Sequence, residues 1–272
     1  MPLEDHIGDI CRKARLQTKT DLAQCAAVAG LEVEELQAWE TEGAIGREVH
    51  VAALAELVGL DAGKAMEVAN GWVPDEVDLS RWAKLRVITT AEGFEVNSFV
   101  VWDPKSRQAA VFDTGWFADD IFELAEIEDL KVEHLLITHM HGDHVAAMRD
   151  VRKRWPEIRL HTNNMGAPEK SRLMEGETIK VGTFNITPRL TPGHAADGVT
   201  YVVEGWANAA PAVAIVGDAI FAGSMGKDFE TPALAQEKVR SEILELPEDT
   251  LICPGHGPLT TVEEERAHNP FF

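Results

Sequence analysis

Cysteine is scarce in this sequence. Its 272 residues include three, Cys11, Cys25 and Cys253, and none of them forms a metal-type C-x-x-C pair. A disulfide framework usually shows an even and denser set. We therefore expect reduced thiols in a cytoplasmic protein, and we interpret Cys253 as a buried structural residue.

Long apolar runs are also missing. No stretch approaches the roughly 20 residues that are needed to span a bilayer. No N-terminal stretch combines a basic start with an apolar core of signal-peptide length. We expect a protein without a membrane partner.

Basic residues are few: 25 Lys and Arg stand against 46 Asp and Glu, which gives a net charge of −21. DNA affinity comes largely from basic groups that displace phosphate counterions, so this balance argues against a strong duplex binder. The composition is otherwise that of a folded globular protein, with 45% hydrophobic and 26% charged residues.

Hydrophobic periodicity divides the chain near residue 75. In residues 1–75, apolar positions recur at helical spacing, and glycines separate about five short helices. Residues 76–272 instead alternate between β-type runs at 85–90, 96–102, 109–112, 135–138, 184–190, 199–203 and 212–216 and helical stretches at 118–126, 145–155 and 233–244. The pattern predicts a small all-α bundle followed by a layered α+β domain.

A histidine-rich motif, Thr-His-Met-His-Gly-Asp-His, occupies residues 138–144 directly after an apolar run. His139 and His141, at alternate positions of a strand end, can project to one side, and Asp143 and His144 lie on the turn into the next helix. Imidazole and carboxylate groups suit zinc or iron, and Gly142 permits the tight turn that aims them inward. The motif predicts a metal site.

Three later residues are further candidate ligands. His194, Asp218 and His256 each follow a strand-like run, and each stands next to glycine. A single histidine is more often structural than functional, but an ordered set of this kind favours a metal centre.

These motifs resemble the metallo-β-lactamase superfamily, whose H-x-H-x-D-H signature is followed by His, Asp and His. The resemblance extends from near Asp78 to the C-terminus. It implies an αββα sandwich with two divalent metals at one edge, zinc first and iron or manganese as alternatives. It assigns one metal to His139, His141 and His194, the other to Asp143, His144 and His256, and a bridging role to Asp218. Metal-bound hydroxide would be the nucleophile, with Asp143 and Asp218 as catalytic carboxylates.

Within the superfamily, the segments 217–221 and 254–271 are similar to glyoxalase II, which hydrolyses the thioester of S-lactoylglutathione. True β-lactamases generally lack the bridging aspartate, so Asp218 argues against that activity. The resemblance implies an S-acylglutathione or a related thioester as substrate. It also implies that Lys227 contacts the glutathione part, and a solvated loop lysine is the alternative interpretation.

Two other branches stay open. Persulfide dioxygenases hold a single iron with two histidines and one aspartate, which would be His139, His194 and Asp218 here. Lactone hydrolases share the whole ligand set. Metal analysis would separate the oxygenase from the hydrolases.

Residues 1–75 resemble a Cro/C1-type helix-turn-helix domain in the segments 12–15, 18–23, 36–43 and 54–57, with a recognition helix that starts near Glu32. However, Glu32, Glu34 and Glu35 would face DNA phosphates. We therefore expect the bundle to form a homodimer, contact another protein or cover the active site. A DNA-binding regulator with a metallo sensor domain is the alternative.

Smaller signals have structural interpretations. Asp113, Thr114 and Gly115 at a strand end either support the metal ligands or form a β-turn. His134, His161 and His268 match no metal motif, and we interpret them as structural.

Overall fold

The computed structural model describes residues 2–174, 176–228 and 230–272. Its first part consists of α1 (Ile7–Thr18), α2 (Leu22–Ala29), α3 (Val33–Glu42), α4 (Val51–Leu57) and α5 (Ala62–Ala69). Aspartate side chains cap the N-termini of two of these helices: Asp21 accepts a hydrogen bond from the backbone of Gln24, and Asp61 accepts one from the backbone of Lys64. Each bond satisfies a helix N–H that has no partner within the helix.

The acidic residues at the start of α3 have a structural role. Glu32 and Glu35 form a reciprocal capping box, in which the Glu32 backbone N–H donates to the Glu35 carboxylate at 2.9 Å. Arg47 pairs with the same carboxylate, also at 2.9 Å. These acids therefore stabilise the N-terminus of α3, whatever their effect on DNA; the helix-turn-helix resemblance stays a prediction.

The five helices pack against later parts of the chain. Their buried cluster contains Ile10, Leu36 and Leu54 and continues into Met225 and Phe271. The core of this segment is therefore shared with the rest of the molecule. The domain boundary near residue 75 stays a prediction.

The first sheet has the order β1-β2-β3-β4-β5. Its strands are β1 (Leu85–Ala91), β2 (Glu95–Trp102), β3 (Gln108–Phe112), β4 (Lys131–Leu136) and β5 (Arg159–His161). The first three strands are antiparallel, and β3, β4 and β5 are parallel. The helices α6 (Asp119–Ile127), α7 (Gly142–Val145) and α8 (Met148–Arg154) accompany this sheet, and apolar residues of α6 and α8 cover its outer face.

The second sheet has the order β13-β12-β9-β8-β7-β6. Its strands are β6 (Ile179–Val181), β7 (Phe184–Leu190), β8 (Val199–Glu204), β9 (Val213–Gly217), β12 (Leu251–Pro254) and β13 (Thr260–Thr261). A small hairpin of β10 (Ile220–Phe221) and β11 (Ser224–Met225) follows β9. On the outer face lie α9 (Pro232–Lys238), which continues as a π-helical turn to residue 244, and α10 (Val262–His268).

The two sheets pack face to face around one apolar core. Phe99 and Phe112 from the first sheet meet Ile186 and Tyr201 from the second. Tyr201 is fully buried, and its hydroxyl donates to the Ile137 carbonyl at 2.9 Å. Burying each large apolar side chain stabilises the fold by roughly 2 kcal/mol. Helices outside both sheets complete an αββα arrangement.

Some element boundaries differ from the sequence predictions. The strand expected at 135–138 is β4 and ends at Leu136, which leaves the histidine motif in a loop. The helix expected at 145–155 is divided between α7 and α8. The strands β5, β6 and β10 to β13 are two to four residues long, too short for periodicity to predict them. In the described ranges, no helix is long and apolar enough to cross a membrane.

Candidate metal centre

The candidate ligands lie in loops at one edge of the two sheets. The loops follow β4, β7, β9 and β12, and they hold His139, His141, Asp143, His144, His194, Asp218 and His256. Strands β9 and β12 are parallel neighbours, so their carboxyl ends reach the same edge. The topology thus brings together residues that are up to 117 positions apart in the sequence, from position 139 to 256.

One group of ligand atoms comes from His139, His141 and His194 and lies within 4.8 Å. His141 Nδ1 is 3.1 Å from His139 Nε2 and 2.9 Å from His194 Nε2. His139 is buried, whereas His141 is exposed. This group is open to solvent on one side.

A second group comes from Asp143, His144 and His256. Asp143 Oδ2 lies 3.2 Å from His256 Nε2 and 3.5 Å from His144 Nε2. His144 is completely buried, and His256 is 5% exposed. This group is more enclosed and includes a carboxylate.

Asp218 lies between the two groups. Its Oδ1 is 3.2 Å from His144 Nε2, and its Oδ2 is 3.4 Å from both His256 Nε2 and His194 Nε2. A carboxylate has two oxygens with several lone pairs, so it can bind two cations at once. Asp218 therefore contacts histidines of both groups.

Asp113 supports His144 of the second group through a hydrogen bond. Its Oδ2 accepts hydrogen bonds from His144 Nδ1 at 2.8 Å and from the Thr138 hydroxyl at 2.7 Å, and its Oδ1 accepts from the Thr138 backbone at 2.8 Å. Its φ of +54° is uncommon for a residue other than glycine. Of the two interpretations of Asp113, these contacts favour support of the ligands.

Two of the other histidines are oriented by backbone carbonyls. His256 Nδ1 donates to the Glu95 carbonyl at 2.6 Å, and His194 Nδ1 donates to the Lys227 carbonyl at 3.1 Å. Each bond uses the Nδ1 proton and leaves the Nε2 lone pair directed into the site. Metal-binding histidines usually have such a second hydrogen bond.

Two glycines permit the close approach of these loops. Gly217, with φ of +52°, precedes Asp218, and a Cβ there would lie 2.7 Å from Thr138 Cβ. A Cβ on Gly255 would lie 2.6 Å from the His144 ring. A larger residue at either position would displace a candidate ligand or its support.

Burial and the carboxylates of the site shift the pKa values of its histidines in opposite directions, and the carboxylates favour positive charge on His144 and His256. Burial lowers the pKa of His139 to about 2. Burial also lowers the pKa of His144 and His256, but Asp113 and Asp218 raise the first to about 10, and Asp143 and Asp218 raise the second to about 11. Divalent cations bound near these carboxylates would balance their negative charge in the same way.

The donor atoms fit a metal centre. Among the described residues, His144 Nε2 and Asp218 Oδ1 are buried side-chain atoms without a hydrogen-bond partner. A buried polar atom left in this state costs about 1–3 kcal/mol. An imidazole nitrogen and a carboxylate oxygen are both ordinary ligands of zinc and iron. Metal coordination would therefore explain why these two atoms lack partners.

An aromatic rim borders the site, and the sequence did not predict it. Phe94 is 53% exposed; its ring centroid lies 5.8 Å from that of His256 and 5.3 Å from that of Trp116. Trp116 Nε1 donates to the Phe94 carbonyl at 3.1 Å. Phe94 lies in the turn between β1 and β2, where no residue pattern predicts a site. Lys227 is exposed, and its carbonyl contacts His194.

Known proteins resemble the part of the chain that holds this site. The hydroxyacylglutathione hydrolase GloC of Haemophilus influenzae is 29% identical over 213 residues, which cover 68% of this chain and 96% of that protein. The mitochondrial persulfide dioxygenase ETHE1 of Mus musculus is 29% identical over 182 residues, 64% of this chain and 70% of that protein. The crystal structure of the BLEG-1 B3 metallo-beta-lactamase aligns with a TM-score of 0.58 and 27% identity, over 69% of this chain and 98% of that one.

The family model of the metallo-beta-lactamase superfamily matches residues 91–256. This range spans most of both sheets and all of the candidate ligands. The chain belongs to the metallo-beta-lactamase superfamily.

Proposed function

We propose that this protein is a dinuclear metal-dependent hydrolase that cleaves a thioester, as glyoxalase II does. The position of Asp218 is the observation that supports this most strongly. Its carboxylate contacts His144 and His256 of one group and His194 of the other. A single metal would not need ligands on both sides of this carboxylate.

In this proposal, the first metal is held by His139, His141 and His194 and the second by Asp143, His144 and His256, with Asp218 shared. Zinc fits these donors, and iron or manganese is the alternative. Metals bound there would lower the pKa of a water molecule toward 7 and polarise the carbonyl under attack. The protein's own part is to fix the ligands through Asp113 and the carbonyls of Glu95 and Lys227.

Cysteine chemistry is a poor alternative. Cys253 lies three positions before His256, but it is fully buried at the end of β12. Burial raises the pKa of its thiol well above the usual range. A cysteine nucleophile must be an accessible thiolate. Hydrolysis by activated water fits the site better than a covalent thiol intermediate.

The relative that hydrolyses hydroxyacylglutathione supports a thioester substrate. We propose that Lys227, which is exposed next to His194, binds a carboxylate of the thiol part. Lys227→Met should raise KM for S-lactoylglutathione several-fold and leave kcat nearly unchanged. The matched control is Lys105→Met, which removes an exposed lysine elsewhere. Equal KM values for both variants would contradict this role.

The decisive assay compares three substrates on one preparation: S-lactoylglutathione, a lactone, and glutathione persulfide with an oxygen electrode. We expect release of free thiol from the thioester and no oxygen uptake. Lactone hydrolysis alone would keep the dinuclear mechanism and reject the thioester. Turnover of none of the three would reject the proposed substrate classes.

Persulfide oxidation is the second candidate. Asp218 Oδ2 lies 3.4 Å from His194 Nε2 and 4.0 Å from His139 Nε2, so these three side chains could also hold a single iron. The persulfide dioxygenase relative supports this alternative. One iron per chain together with oxygen consumption would establish it.

For the N-terminal helices we propose a homodimer contact or a cover over the metal centre, in a cytoplasmic protein. The three cysteines are buried and unpaired in disulfides, as expected for reduced thiols. A DNA-binding regulator is the alternative. A titration with duplex DNA at low salt separates these two proposals. Sequence-selective binding that weakens steeply with added salt would support the regulator and contradict the homodimer or cover.

A further inference from the structure

The N-terminal segment touches a loop that supports the metal centre. Lys13 of α1 is 3% exposed, and its ammonium donates to the Met225 carbonyl at 2.8 Å. It also pairs with the buried carboxylate of Asp5. A buried lysine is rare unless it is paired in this way. The buried ammonium group of Lys13 thus binds a backbone carbonyl of β11, 212 positions away in the sequence.

Met225 is followed directly by the residues that support His194. The backbone of Gly226 lies so close that a Cβ there would be 2.9 Å from His194 Cβ. The carbonyl of Lys227 accepts the Nδ1 proton of His194 at 3.1 Å. Moving the 225–227 segment would therefore move or rotate the His194 ring.

A second contact reaches the other ligand group. The backbone of Glu4 lies against Gly257, the residue after His256: a Cβ on Gly257 would be 3.0 Å from Glu4 N and 3.2 Å from Glu4 Cβ. Lys13 Nζ also lies 5.2 Å from the centroid of the Phe221 ring. Residues 4–13 thus contact the loop that holds His256 and the β10–β11 hairpin that follows Asp218.

We infer that Lys13 is a positioning residue of the metal centre: by holding the Met225 carbonyl, it fixes the 225–227 segment and through it the orientation of His194. The inference rests on the metal centre of the proposed function. It also gives the N-terminal helices a role in this site that does not require DNA or a second copy of the chain.

The test must separate positioning from stability. Removing Lys13 alone would leave Asp5 buried without a partner, which is strongly destabilising. The double variant Asp5→Asn with Lys13→Met removes both charges, and such exchanges of a buried pair are often neutral for stability. Lys105→Met is the first control, because it removes an exposed lysine elsewhere in the chain. Arg12→Met is the second, because Arg12 is an exposed cation of the same helix.

The measurement uses full-length protein loaded with cobalt(II), whose visible absorption reports ligand geometry, and competition with a chelator. In the double variant we expect a changed cobalt spectrum and a roughly 10-fold weaker affinity for one of the two metals. Both controls should match the parent. An unchanged spectrum and affinity in a folded double variant would overturn the inference.

Two further measurements complete the test. Should the double variant not fold, Asp5→Asn with Lys13→Leu replaces it, and a parent-like cobalt spectrum in that folded variant would overturn the inference. Should the parent bind no metal, the proposed metal centre fails. Amide exchange of residues 225–227 then decides the link to Lys13: faster exchange in the variant than in the controls supports it, and equal exchange rejects it.

Discussion

The two ligand groups of the candidate metal centre differ in how they are held. One group is enclosed and consists of Asp143, His144 and His256. In this group the Asp113 carboxylate accepts a charge-assisted hydrogen bond from His144 Nδ1. The group of His139, His141 and His194 is more open, and His194 depends on a loop carbonyl for its orientation. Charge-assisted bonds are roughly twice as strong as neutral ones.

This difference predicts two metals of unequal affinity. The enclosed group has a carboxylate ligand and a rigid support, so it should retain its metal longer during dialysis against a chelator. The open group should lose its metal first, because a solvent-facing ring such as His141 reorients more easily. Asp218 connects the groups, so its loss should affect both.

The largest effect is expected for Asp218→Ala. The variant removes the shared carboxylate and leaves His144 and His256 without their partner, so both metals should bind weakly. Activity should fall by at least about 10³-fold, or roughly 4 kcal/mol of transition-state stabilisation. Kinetics and elemental analysis on one sample measure both effects. Asp249→Ala, at an exposed position, is the control, and a parent-like rate in Asp218→Ala would remove Asp218 from the site.

An intermediate and one-sided effect is expected for Asp113→Asn. Asparagine tolerates the positive φ at this position and keeps the shape, but it removes the charge that supports His144. Loss of such an outer partner typically weakens metal binding by roughly 10- to 100-fold. Chelator competition should show the larger loss for the metal bound by His144, because Asp113 binds His144 directly and reaches His139 only through Thr138. An equal loss of affinity for both metals would mean that the two ligand groups do not have separate supports.

The smallest expected effect is the pH dependence of stability that arises from a second buried carboxyl, that of Glu265. Burial raises the pKa of Asp218, but the neighbouring imidazoles of His144 and His256 outweigh it and hold the pKa well below its usual range. Glu265 is buried without such cations, and burial raises its pKa to about 7 against the hydrogen bonds from Asn269 and Thr260. The comparison shows that burial alone does not decide the charge of a carboxyl.

The raised pKa of Glu265 makes stability depend on pH. The folded state binds this proton more tightly than the unfolded state, so the stabilisation is complete below about pH 4.5 and is lost as the pH rises through about 7. Between pH 6 and 8 the free energy of unfolding should fall by about 1 kcal/mol from this group. Glu265→Gln should flatten that slope in urea titrations, whereas Glu263→Gln, at an exposed position, should not.

The candidate ligands could be chosen from the sequence because their signals are local, and the structure brings these side chains together. The 138–144 motif and the glycines beside His194, Asp218 and His256 are visible in the residues themselves. Superfamily membership, which these motifs predicted, is confirmed by the family match over 91–256. The specific branch stays a proposal, because a hydrolase and a dioxygenase are both 29% identical to this chain over the matched part.

The supports of the ligands were harder to predict because they depend on tertiary packing. Asp113 had two equally good interpretations until its bond to His144 was visible. The carbonyls of Glu95 and Lys227 have no residue-type signal, since every residue has a carbonyl. Lys13 is buried against Met225, although a lysine on a short amphipathic helix is usually exposed. This contact joins residues 212 positions apart, so no local pattern predicts it.

The number of metals per chain tests the central claim most directly. Protein purified without added chelator should contain two metal ions per chain by elemental analysis, and Asp218→Ala should contain fewer than one. A parent with a single iron, or an Asp218→Ala variant that keeps two metals, would contradict a dinuclear centre bridged by Asp218.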